Sequence, residues 1–105
     1  MNVDNKPSLC IPRILGNVDE QYIRNIFDKV SLGKIHHIDI INCKNEKNEI
    51  FKRAFIHFDK WYMNEDAQAI RNRLISGMDI KIVHEYPWFW KVSAGRDKIK
   101  GNYVP

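Results

Sequence analysis

The chain predicts an α+β sandwich: a four-stranded antiparallel sheet with two helices packed on one face. Two observations carry this expectation. Apolar residues alternate between a period of two and helical spacing, in the order strand, helix, strand, strand, helix, strand. The 105 residues, 44% hydrophobic and 29% charged, suffice for one core and are too apolar for a disordered chain.

Residues 1–7 are polar, contain Pro7 and read as a loose tail. Ser8 to Ile14 then puts Leu9 and Ile11 on one side of a short strand and Cys10 and Pro12 on the other. Pro12 lacks a backbone donor, so it fits only near the strand's end or at a bulge. Gly16 and Asn17 make a turn, and Asp19 caps a helix whose apolar stripe is Tyr22, Ile23, Ile26, Phe27 and Val30. Gly33 is expected to end that helix. From Ile35 the period is two, with Ile38 and Ile40 on one side and His37, Asp39 and Ile41 on the other.

Asn42 to Glu49 is polar and charged and suits the exposed loop of a hairpin. Ile50 to Phe58 is the clearest strand: Ala54, Ile56 and Phe58 face one way, and Phe51, Arg53, Phe55 and His57 the other. A second helix around Asn64 to Ser76 carries Ala67, Ile70, Arg71 and Leu74 at i, i+3, i+4 and i+7, and Gly77 stops it. Asp79 to Tyr86 alternates again, with Ile80, Ile82 and His84 assigned to the inner side and Lys81, Val83 and Glu85 to the outer. The β-α-β-β-α-β order is that of a ferredoxin-like sandwich, whose second sheet face stays open.

Several function classes are excluded at this level. Cys10 and Cys43 are too few for a disulfide framework, which implies a reducing, intracellular compartment, in nucleus or cytoplasm. The four histidines (His36, His37, His57 and His84) and two cysteines lie scattered, without the close ligand spacing of a zinc site, so no metal and no cofactor is expected. There is no glycine-rich phosphate loop, no GxSxG and no HExxH. The adjacent carboxylates Asp19-Glu20 and Glu65-Asp66 fall at helix starts, where they serve the backbone amides rather than catalysis. No enzyme is expected. No apolar run is long enough for a membrane span, and MNVDNKPS lacks a signal-peptide hydrophobic region. The net charge of +4 permits a polyanionic partner.

With the elements in place, residues 8–86 resemble an RNA recognition motif domain. Leu9-Cys10-Ile11-Pro12-Arg13-Ile14 stands where that family has its first-strand hexapeptide. Tyr22-Ile23-Arg24-Asn25-Ile26-Phe27 matches its first-helix pattern, and Gly33-Lys34-Ile35 its entry to the second strand. Phe51 to Phe58 overlays the third-strand octapeptide. The core half of that octapeptide (Ala54, Ile56, Phe58) is intact, whereas the three stacking positions of the family read Cys10, Arg53 and Phe55. Losing two base–aromatic stacks costs roughly 2–6 kcal/mol at about 1–3 kcal/mol each, or about 30-fold to 10⁴-fold in affinity. Arg53 recovers part of this if its guanidinium lies on a base or pairs with phosphate.

Residues 87–105 form an extension in which Trp88, Phe89 and Trp90 are interleaved with Lys91, Arg96, Lys98 and Lys100. It resembles the tails of short recognition-motif proteins of large DNA viruses. Two uses of its rings stay open: stacking shelves beside Phe55, or packing over the sheet. The resemblance implies a single-stranded RNA-binding module, with contacts expected from Phe55, Arg53, Phe51, His57, Arg13, Lys81, Trp88, Trp90, Lys91 and Arg96. The alternative is a protein-interaction or dimerisation domain whose sheet face is covered by its own tail or by a partner.

Overall fold

The computed structural model describes residues 4–95. Its elements are β1 (Leu9–Ile14), α1 (Glu20–Val30), β2 (Gly33–Lys44), β3 (Ile50–Trp61), α2 (Glu65–Ile75), β4 (Ile80–Glu85) and β5 (Trp88–Ala94). The class is α+β as expected, but the sheet has five strands, in the order β2-β3-β1-β5-β4, with every pairing antiparallel. The expected four-strand sheet is therefore corrected. The strand read at Asp79–Tyr86 lies at the sheet edge as Ile80–Glu85, and Trp88–Ala94, within the segment read as an extension beyond the fold, pairs with β1 through Leu9–Ala94 and Cys10–Ser93. The reason is a tight hairpin: β4 turns back at Tyr86-Pro87, and β5 inserts between it and the centre.

The sequence accounts for the element ends. Asp19 Oδ1 accepts the Tyr22 amide at 2.9 Å and Asn64 Oδ1 the Ala67 amide at 2.8 Å, each capping a helix. Helix α1 ends in a left-handed Ser31 (φ 61°), not at Gly33. Gly33 opens β2 instead, where a Cβ would lie 2.5 Å from the Lys60 carbonyl oxygen; the strand pair closes only because that atom is missing. Between β2 and β3, Asn45 Oδ1 accepts the amides of Lys47 and Glu49 at 2.8 and 2.9 Å and closes the hairpin turn.

Four register shifts set which side chains share a face. One lies between Ile11 and Ile14 in β1, the place that Pro12 demands. Two lie in the β2–β3 pair, between Lys34 and Ile35 and around His36, and the latter brings His37 opposite His57. The fourth is at His84, between the pairs Val83–Phe89 and Glu85–Trp88.

The core lies between the sheet and both helices. Leu9, Ile11, Ala54, Ile56, Trp61 and Val92 from the strands are wholly buried with Ile23 of α1, and Phe27 and Leu74 join them from the two helices. Trp90 also belongs to this core at 4% exposure. Its ring stacks between His84 (centroids 4.3 Å) and Phe27 (6.4 Å), with Tyr22 edge-on at 6.0 Å. Residues 4–7 do not behave as a loose tail. The Asp4 carbonyl accepts the Trp61 amide, the Pro7 carbonyl accepts Trp61 Nε1 at 3.0 Å, and the Lys6 carbonyl accepts Arg71 Nε at 2.7 Å.

Candidate functional site

The helices bury one face of the sheet, so the opposite face defines the site. Its central row runs Asp39, Phe55, Cys10 and Ser93 across β2, β3, β1 and β5. Phe55 is half-buried in this row, flanked along β3 by Arg53 and His57. Arg53 donates from Nε to the Pro12 carbonyl at 3.4 Å, which holds its guanidinium against the β1 bulge. Towards the same end, Arg13 lies over the Phe51 ring at 4.8 Å. On the far side of the sheet, Lys81 lies over the Phe89 ring at 4.8 Å, and the Lys91 ammonium approaches Asp79 at 3.4 Å. Arg73, Asp79, Ile80, Lys81 and Lys91 line a shallow cleft at this edge.

The expected contact residues divide accordingly. Phe51, Arg53, Phe55, Arg13, Lys81 and Lys91 lie at exposed or half-buried positions of the strands that build this face. Trp88 is exposed at the β4–β5 hairpin, beside an exposed Tyr86. Trp90 is corrected: it belongs to the core beneath α1, because alternation along β5 turns Trp90 and Val92 inward and Phe89, Lys91 and Ser93 outward. Phe89, not Trp90, is thus the outward aromatic next to Lys91 on β5. The signal was present as the alternation of Trp88 to Ser93, but a segment read as an extension is not tested for strand period. Arg96 lies outside the described residues.

His57 has partners of its own. Its Nε2 is 3.2 Å from Asp39 Oδ2, its Nδ1 is 3.1 Å from the buried Ser8 hydroxyl, and its ring stacks on His37 with centroids 4.3 Å apart. His37 Nε2 reaches the same Asp39 oxygen at 3.5 Å. The expectation of scattered histidines is therefore corrected for His37 and His57: the β2–β3 register brings together these side chains, 20 residues apart in the chain.

The face can do two things chemically. Flat rings at Phe51, Phe55 and Phe89, with Arg13, Arg53 and Lys81 beside them, can receive planar aromatic groups and anionic backbone. The His37–Asp39–His57 cluster gathers two imidazoles and a carboxylate whose donor atoms lie within 4.8 Å of one another. No helix among the described residues is long and apolar enough to cross a membrane. Compared with known proteins, the chain matches no family model, no curated protein and no solved structure.

Proposed function

We propose that the chain binds single-stranded RNA on the sheet face opposite its helices, as an RNA recognition motif-like module without catalysis. The observation that carries the reading is the central Phe55, outward on β3 with Arg53 alongside and Phe51 and Phe89 towards either side. Taking β4 as an added edge strand leaves the order β2-β3-β1-β5, all antiparallel, which supports a ferredoxin-like body. In this reading bases stack on Phe55 and on Phe89 or Phe51, while Arg53, Arg13, Lys81 and Lys91 hold phosphates. Substituting Phe51 and Phe89 for the missing stacking positions also recovers part of the affinity that Cys10 and Arg53 give up.

Titration of the full chain with mixed-sequence oligo-RNA at low salt tests it, read by tryptophan fluorescence. Saturable binding below about 100 μM, equivalent to roughly 5.5 kcal/mol, is expected. Its absence at that concentration would end the proposal.

One observation favours a second reading, protein interaction or dimerisation. Val83, Tyr86, Trp88 and Phe89 are all exposed around one hairpin, an apolar cluster of the kind that partners cover. Light scattering discriminates: a monomer at high concentration that binds RNA leaves the first reading, and a dimer dispersed by Trp88→Ala replaces it.

A further inference from the structure

Apart from the aromatic platform, the open face carries a constellation with a different chemistry. His37 and Asp39 are two apart on β2 and so share a face, and the bulge around His36 sets His37 directly opposite His57 on β3. The donor atoms of His37, Asp39 and His57 all lie within 4.8 Å of one another. Asp39 Oδ2 stands 3.5 Å from His37 Nε2 and 3.2 Å from His57 Nε2. Tetrahedral ligands bonded to zinc at about 2.0–2.1 Å are separated by about 3.3–3.4 Å, so these spacings already approximate the edges of a coordination polyhedron.

The surroundings supply the second requirement of such a site, a partner for the other nitrogen of each ring. His57 Nδ1 is 3.1 Å from the hydroxyl of Ser8, a side chain only 2% exposed, and His37 Nδ1 is 2.6 Å from His36 Nδ1. A serine hydroxyl both donates and accepts. It can therefore accept from Nδ1–H when Nε2 gives its lone pair to a cation. The two imidazoles stack almost parallel, at 13°, and must turn about their Cβ–Cγ bonds to converge on one ion; that torsion is broad for histidine, and His37 and Asp39 are exposed.

We propose that His37 Nε2, a carboxylate oxygen of Asp39 and His57 Nε2 form a binding site for a divalent transition-metal ion of the zinc class. Two imidazoles and one carboxylate, with no thiolate, favour Zn²⁺ and its neighbours in the first row over Mg²⁺ or Ca²⁺. Three protein ligands leave a coordination position directed to solvent, where water or an anionic oxygen completes the shell. The proposal does not rest on the RNA-binding reading and is tested without RNA.

The test is isothermal titration of the untagged full chain with Zn²⁺ alone, in a non-chelating buffer. One ion per chain is expected, with dissociation below about 100 μM. Asp39→Asn and His57→Gln, both outside the core, are each expected to weaken it about 100-fold, and Ser8→Ala about 10-fold. Circular dichroism checks that each variant remains folded. An excess of Mg²⁺ is expected not to compete. Failure to saturate would overturn the proposal. So would binding that survives Asp39→Asn and His57→Gln but disappears in His36→Ala, since that pattern identifies chelation by the adjacent His36–His37 pair instead.

Discussion

Single side chains on the two sheet faces obey different physics, and substitutions separate them. Phe55 faces outward, away from the core formed by Ala54 and Ile56. Phe55→Ala is expected to weaken RNA binding by about 5- to 150-fold, the equivalent of one base stack of roughly 1–3 kcal/mol, with little change in melting temperature. A fluorescence titration beside a thermal melt measures both. Trp90→Ala should do the reverse at the level of folding, costing about 3–5 kcal/mol because it empties the space between Phe27, Tyr22 and His84. Denaturant unfolding checks this.

His84 itself carries a pH signature. Burial pushes its imidazole below the usual 6.5, partly opposed by the neighbouring Glu85 carboxylate. Its Nδ1 lies 3.0 Å from the Tyr22 hydroxyl, and its ring rests on Trp90. The unfolded chain therefore binds a proton on this group at a higher pH than the folded chain does. Stability from His84 is whole above pH 6.5 and is lost as the pH falls below it, towards the lowered value of the folded state. Unfolding midpoints followed downward from neutral pH should decline less steeply in His84→Gln than in the parent.

At the scale of elements, joints and registers govern the outcome. The cap at Asp19 was legible because a short polar side chain before an apolar stripe has one local use, and Asn64, read as the start of the second helix, serves the same way. Gly33 was placed at the right joint, and it does enter the second strand, but it is not the helix stop it was also read as. A helix stop is a local matter, whereas the clash of a Cβ with the Lys60 carbonyl arises only when β2 and β3 meet. Because the obstructing atom is backbone, Gly33→Ala should cost about 1–3 kcal/mol in denaturant unfolding, against about 1 kcal/mol for Asp19→Ala. Pro12 shows a local rule anticipating a tertiary feature, since its missing donor requires the irregularity found between Ile11 and Ile14. The β4–β5 hairpin shows the opposite. Both strands have the right period, but a run of aromatic residues after a proline fits a docked strand as well as a covering tail.

The whole molecule presents its cations unevenly. Arg13 and Arg53 stand near the bulged end of β1, Lys81 and Lys91 across from each other on β4 and β5, and Asp39 with two histidines occupies the other side of the central aromatic. If this gradient guides a single strand, binding should weaken with salt at a log–log slope of about −2 to −3 for three or four phosphates. Lys81→Gln should make that slope shallower by about 0.7 without altering base preference. Titrations at several salt concentrations provide the comparison.

What the sequence determined alone is six of the seven elements, the inward and outward residues on β1, β2 and β3, and the Asp19 cap, because period and capping act within a few residues of one another. The tertiary structure decided which strand lies beside β1, which aromatic of the Trp88-Phe89-Trp90 run enters the core, and that His37, Asp39 and His57 meet. Those outcomes depend on strand register and on a hairpin folding back into the sheet. Register is chosen by the burial of a whole face at once, since a slip of one residue would turn every side chain of a strand to the wrong side.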